Sequence, residues 1–423
     1  MKEGRWWRGE GGVLLATAPF LLFPTQIYMG TCLALVLLAV VWLLRGRRFP
    51  VTPFNLVLLL WSLALLVGIA VTADADETLP KATGLILGLA VWRYAALYLA
   101  ERRRLVWGWL AYVLLSLGFV LLGVLSANWQ SKVPLVGAVV ARLPANLLQL
   151  PGAPAEGVQL NQLAGTLLLI LPLLLSLPFV WRNWWQRAAW LLLTLILLLM
   201  LLFSQSRSGW LGMIAGILVL LALWQEATEQ PATRRRLVWL LLGIILAGGV
   251  LALWIGPERW QQIIEEPPRQ TAIGTLTTIR FRLEVWTWAV AGIQDFPFSG
   301  MGLGSFRQAA WRFYPLSIPS SYDIAHAHNI FLQVALDLGL PGLIAYLGLL
   351  LVAAHTGWRI ARRDPALRPW SIGLLAGLVA LHVYGLTDAL APGSKPALLF
   401  WLALGLLAAM GRLEANREAG ENS

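Results

Sequence analysis

Residues 188–204 read AAWLLLTLILLLMLLFS, and the polar knot Ser204-Gln205-Ser206-Arg207-Ser208-Gly209 divides them from a second apolar run over 208–224. No charge interrupts the first run, and a helix needs roughly 20 apolar residues to cross the hydrocarbon core of a bilayer. Reading outward for similar runs gives about twelve segments: 12–24, 28–44, 54–72, 81–100, 105–126, 158–180, 188–204, 208–224, 237–256, 330–356, 370–388 and 396–411. The pattern predicts an all-α polytopic membrane protein.

Composition points the same way. With 58% hydrophobic and 13% charged side chains, the 423-residue chain carries more apolar surface than one water-soluble core can hide. A disordered chain needs the reverse balance, and a single cysteine, Cys32, excludes a disulfide scaffold. A net charge of +11 would point a soluble protein toward nucleic acid. Here 20 of the 32 Lys and Arg fall in short clusters at every second loop, among them Arg45, Arg47 and Arg48, Arg102 to Arg104, and Arg234 to Arg236. That is the positive-inside pattern, which accounts for the charge with no nucleic acid as partner and sets both termini in the cytoplasm.

Ala16-Thr17-Ala18 looks like a signal cleavage site, but Pro19 follows and the apolar core before it is short, so the expectation is an uncleaved first helix. The expected organisation is nine helices over 1–256, an extracytoplasmic loop with amphipathic helices over 257–329, three helices over 330–411, and a cytoplasmic tail over 412–423. A shorter outer loop runs from about 127 to 157. Arg93, inside the fourth segment, reads as snorkelling inward beside Arg102.

Most of the remaining polar chemistry lies on the outer side. Arg207, at a helix start, reads either as an interfacial arginine on lipid phosphate or as an anion receptor aided by the helix N-terminus. In Ile279-Arg280-Phe281-Arg282-Leu283-Glu284-Val285-Trp286, the spacing of Ile279, Leu283, Trp286 and Val290 predicts an amphipathic helix. Arg280 has Glu284 four residues on as a partner, whereas Arg282 has none at that spacing and is left for an external anion or a lipid phosphate. Trp286, Trp288 and Trp311 read as sugar platforms or as interfacial anchors. Pro297-Phe298-Ser299-Gly300-Met301-Gly302-Leu303-Gly304 reads as a tight turn with positive φ rather than a nucleotide loop.

His326-Ala327-His328-Asn329 precedes an apolar helix that Gly339, Pro341 and Gly342 should break into a short first piece. A helix N-terminus disfavours protonated imidazole, so His328 would be a neutral base. The His-x-His pair has no third metal ligand of fitting spacing nearby. Asp74-Ala75-Asp76-Glu77 reads as a solvated helix cap, with divalent-metal chelation the alternative. His355 and His382 have no evident partners.

Taken in order, Ser206-Arg207-Ser208, the Arg282-x-x-x-Trp286 helix, the Pro-x-x-Gly-x-Gly-x-Gly-x-Phe turn, and His328-Asn329 before an apolar helix ending in Gly339-x-Pro341-Gly342 resemble the O-antigen ligase and polymerase superfamily. The resemblance covers about 200 to 345. It implies a metal-independent, cofactor-free transfer of a glycan from undecaprenyl diphosphate at the outer face of the bacterial cytoplasmic membrane, among membrane lipids. It assigns His328, Arg207 and Arg282 as catalytic. The expected substrate-binding set is Arg207, Arg282, Arg280, Trp286, Gly302, Gly304, His326 and Asn329, in which Arg280 and His326 are each a two-residue slip from their neighbours. In this superfamily ligases use lipid A core as acceptor, polymerases a growing glycan, and protein-directed members a protein hydroxyl.

The rival from another class is a transporter of lipid-linked sugars. That architecture places charge near the bilayer midplane and often shows repeats, whereas the candidate residues here cluster at the outer rim. A cysteine placed at Ser317 should react with an impermeant thiol reagent from the outside; labelling only from the cytoplasmic side would overturn the sidedness and the site with it.

Overall fold

The computed structural model describes residues 3–45, 49–129, 134–150, 157–179, 183–228, 279–317 and 323–421. In chain order the helices are α1 (Glu3–Leu22), α2 (Tyr28–Arg45), α3 (Asn55–Ala70), α4 (Ala75–Tyr98), α5 (Arg102–Leu125), α6 (Pro134–Val140), α7 (Leu160–Ser176), α8 (Trp184–Phe203), α9 (Arg207–Thr228), α10 (Ile279–Asp295), α11 (Phe306–Phe313), α12 (Ile330–Arg363), α13 (Arg368–Tyr384) and α14 (Leu398–Glu421). Among the described residues there is no strand, only one isolated bridge between Ala127 and Val158.

Every expected apolar segment falls on one of these helices except 237–256, which lies outside the described residues together with 257–278. Among the described residues, five helices are long and apolar enough to cross a membrane: Arg102–Leu125, Trp184–Phe203, Arg207–Thr228, Ile330–Arg363 and Lys395–Glu418. Exposure agrees with composition. α8 turns Leu191, Leu192, Leu195 and Leu199 outward, and α3 does so with Leu56, Leu59, Leu63 and Leu66. A continuous apolar exterior of this kind belongs against lipid. The chain is an all-helical, polytopic membrane protein.

α7 is its inner post: Leu167, Leu168, Ile170, Leu171 and Leu174 are fully buried, as expected for a helix apolar all round. Helices α5, α8, α9 and α13 pack around it, while α14 lies along α4 and α12 along α3. The α9–α13 crossing is close because Gly212 and Gly216 stand one turn apart; a Cβ on Gly212 would sit 2.5 Å from the Ala380 carbonyl oxygen.

α12 breaks where the glycines and proline predict. Gly339 adopts φ 70° and ψ −179°, a left-handed conformation that suits glycine. The break leaves the Leu340 N–H and the Leu336 carbonyl without their helical partners. The turn over 297–301 supplies both: Leu340 N–H donates to Pro297 O, and Met301 N–H donates to Leu336 O, each at 2.7 Å. Gly300 (φ 69°) permits the approach, since a Cβ there would lie 2.6 Å from Leu336 O.

Two expectations need correction. The buried stripe of α10 is Phe281, Val285 and Ala289, which join Met301, Phe306, Ile324, Ala327 and Leu336 in one cluster. Leu283 and Val290 are exposed instead. The helix packs on α12, so its contact face is turned from the one read off the sequence. Arg93 does not snorkel: it is 5% exposed, ion-paired with Glu10, with its guanidinium 5.8 Å from the centre of the Trp42 ring. The partner was missed because α1 begins well before the expected segment, bringing Glu10 into the bundle. α4 likewise starts early, at Ala75, because Asp74 caps it by accepting from Asp76 and Glu77 N–H at 3.1 and 3.2 Å, which is the capping reading of that acidic run.

Gly212→Leu should overpack the α9–α13 crossing and cost about 1–3 kcal/mol. Thermal unfolding in detergent checks this against Gly118→Leu, where nothing lies within 4 Å and the melting temperature should hardly change.

Candidate active site

The site forms where the N-terminal end of α12 meets the turn after α13. Asn329 caps α12, its side-chain oxygen accepting from Phe331 and Leu332 N–H at 2.9 and 3.1 Å. Its amide nitrogen donates to Leu386 O at 3.1 Å, and Ile330 N–H donates to Gly385 O at 2.7 Å. These bonds fix the histidine turn against the loop that carries Asp388. Asn329 thus has a capping task with both ends of its amide engaged.

His328 itself sits in the left-handed region, at φ 49°. For a residue with a Cβ this conformation costs of order 1–3 kcal/mol and has to be held by its surroundings. Its N–H donates to His326 Nδ1 at 3.1 Å. Because that ring nitrogen accepts, the neutral His326 ring carries its proton on Nε2, which faces Asp388 Oδ1 at 3.7 Å. His328 Nδ1 lies 4.0 Å from the same oxygen and is buried with no hydrogen-bond partner among the described residues. A move of about 1 Å would bring it within hydrogen-bond range of the carboxylate.

Asp388 is 3% exposed and held by Asn161 Nδ2 at 2.7 Å and by the Ala389 N–H at 2.9 Å. Asn161 is anchored in turn, since Tyr384 Oη donates to its carbonyl at 2.9 Å. This carboxylate was not picked out from sequence. The signal available was an acid in the otherwise apolar stretch Leu386-Thr387-Asp388-Ala389-Leu390.

The electrostatics favour neutral imidazoles. Burial pushes His328 well below the ordinary imidazole range, and His326 and Arg282 push it further. His326 is lowered by burial, an effect that Asp388 opposes and that Lys81 and Arg282 reinforce. Arg282 therefore acts on both histidines. It is placed there by Phe281, whose ring meets the His328 ring edge-on at 5.5 Å.

Arg207 is exposed and opens α9 after another left-handed residue, Gln205 at φ 51°. Ser206 Oγ closes that turn by accepting from Gly209 N–H at 3.2 Å. A Cβ at Gly209 would lie 2.9 Å from Ala164, and one at Gly212 3.2 Å from Tyr384 Cβ. Arg207 thus stands at the end of the bundle that holds Asn161 and Asp388. Neither Arg207 nor Arg282 has an ion-pair partner among the described residues.

The other expected residues are distributed as follows. The Arg280 side chain, and with it the expected pairing to Glu284, lies outside the described residues; Glu284 accepts from Ser317 Oγ at 2.6 Å. Trp286 has its indole N–H buried with no partner among the described residues. Gly302 and Gly304, at φ 95° and 83°, belong to the positive-φ turn and pack on Thr72 and on Glu77 and Lys81. His382 has partners after all: Tyr346 Oη at 2.7 Å and Leu378 O at 2.6 Å.

His326, His328 and Asp388 offer ligand atoms within 4.8 Å of one another. The third ligand that local spacing lacks is therefore brought in from the turn after α13. Hydrogen-bond polarity opposes a metal here. Coordination through His326 Nε2 would need the proton on Nδ1, where the His328 N–H already points.

Residues 192–347 match the family model described as O-Antigen ligase. The match takes in Arg207, Arg282 and the histidine turn, and ends before Asp388. None of the curated proteins matches the chain. Over residues 192–347, the chain is therefore similar to the O-antigen ligase family.

Proposed function

We propose that this protein is a glycan transferase of the outer face of the bacterial cytoplasmic membrane, moving a glycan from undecaprenyl diphosphate to a hydroxyl, with lipid A core as the acceptor. The observation that carries the reading is the meeting of Arg282, His328 and Asp388 at the head of α12. The family match and the all-helical, apolar-faced architecture support it. Twelve spans with both ends inside and 257–329 outside set the site on the outer side, by the basic clusters of the inner loops.

His328 Nε2 takes the proton of the acceptor hydroxyl while Asp388 faces Nδ1 and favours the imidazolium that forms. The acceptor oxygen attacks the anomeric carbon opposite the diphosphate, so that configuration inverts. As the bond to the diphosphate breaks, Arg207 and Arg282 bind its oxygens through their planar forks, and no metal is required.

Purified protein given undecaprenyl diphosphate glycan and a hydroxyl acceptor should release carrier lipid. His328→Ala should abolish release with the protein still folded, and His326→Ala should be milder, since His328 adjoins the start of α12 whereas His326 lies two residues further out. Because burial and Arg282 depress His328, the base stays neutral as pH falls through its ordinary value of about 6.5. Turnover should therefore persist below that pH and decline only further into acid; an acid limb at or above 6.5 would remove the depressed-base reading.

Transfer should continue in excess EDTA, and Arg207→Ala or Arg282→Ala should each slow it by roughly two to three orders of magnitude. Asp74→Ala and Asp76→Ala should stay close to wild type. Loss with chelator and with the aspartate changes, but not with the arginine changes, would hand the role to a metal.

A further inference from the structure

Between the two histidines, Ala327 donates its N–H to Gln333 Oε1 at 2.8 Å. Gln333 Nε2 donates to Asp337 Oδ1 at 2.9 Å, and the same oxygen accepts the Gly304 N–H at 2.9 Å. Gln333 and Asp337 are 1% and 5% exposed, one turn apart on the first piece of α12. A carboxylate is costly in an apolar helix unless it has a task. The amide side chain is the type this place requires: it meets an N–H with one end and a carboxylate with the other, which neither leucine nor an ionised glutamate can do.

We propose that Gln333 and Asp337 are positioning residues, a buried relay that ties the histidine turn to the glycine turn and holds His328 in its strained working geometry. The proposal rests on the reading of His328 as the base. Among the described residues, three backbone N–H bonds hold the turn: Ala327 to Gln333, His328 to His326, and Ile330 to Gly385. The second is internal to the turn and the third ties it to the Asp388 loop. The Gln333 bond alone of these reaches the segment of Gly304, which also borders α4. Lys81 of α4 lines a small cavity together with Asp337, Trp61 and Val334, so a cation faces the relay's carboxylate region from that side.

The test uses Gln333→Glu, alone and combined with Asp337→Asn. The single change sets two carboxylates against each other. The double change keeps the total charge and restores one donor opposite one acceptor. Turnover of the single variant should fall about 100-fold, the scale of a displacement of about 1 Å at a reacting group, with the KM for the donor lipid unchanged. The double variant should recover most of it. His328 carbethoxylation by diethyl pyrocarbonate, read by mass spectrometry without substrates, should rise several-fold in the single variant and return in the double.

Wild-type labelling in the single variant would overturn the relay. So would a loss that the double variant does not restore, which is what a merely structural role predicts. Labelling that rises and is restored while turnover stays constant would keep the relay and remove His328 as the base.

Discussion

A helix broken inside a bilayer exposes a donor and an acceptor that have no water to turn to, and this protein depends on how it meets that demand at Gly339. The glycine turn satisfies both groups of the broken helix, Leu340 N–H and Leu336 O. The cost of leaving either group unpaired in an apolar medium is several kcal/mol, so the turn and the break are locked together. From that joint the first piece of α12 projects with a defined direction and carries His328 at its head.

Two non-glycine residues with left-handed backbone fall inside the candidate motifs, Gln205 before Arg207 and His328. Each is enclosed by specific bonds, Ser206 with Gly209 in one case and His326, Gln333 and Gly385 around the other. Local strain is maintained only where neighbours over-determine it. The third such residue among those described, Asn146, is a type that tolerates this conformation readily.

Much of the helical layout was legible because apolar run length is a one-dimensional signal. The break in α12 was legible because glycine and proline act locally. The face of α10 was not: apolar residues occupy two of its sides, and which side is buried depends on α12. Arg93 was misread because its partner is Glu10, in a helix whose start the sequence does not mark. Arg207, Arg282 and His328 stand out in the sequence as candidates, a charge or a base near a helix start, while Asp388 does not, because nothing local joins it to His328. The backbone conformation of His328 was equally hidden, since a histidine gives no sign of positive φ.

Asp388 and Asn161 both lie outside residues 192–347, yet they fix the face that the histidines look onto. The shared segment is therefore not a self-contained cassette. Grafted into a relative, it would meet a foreign carboxylate loop and a foreign inner post, and the two halves of the constellation would have to co-adapt. Substitutions along the seam between α7, α13 and the histidine turn would disturb both halves at once, while the exposed leucines of α3 and α8 could be exchanged for other apolar residues without touching either.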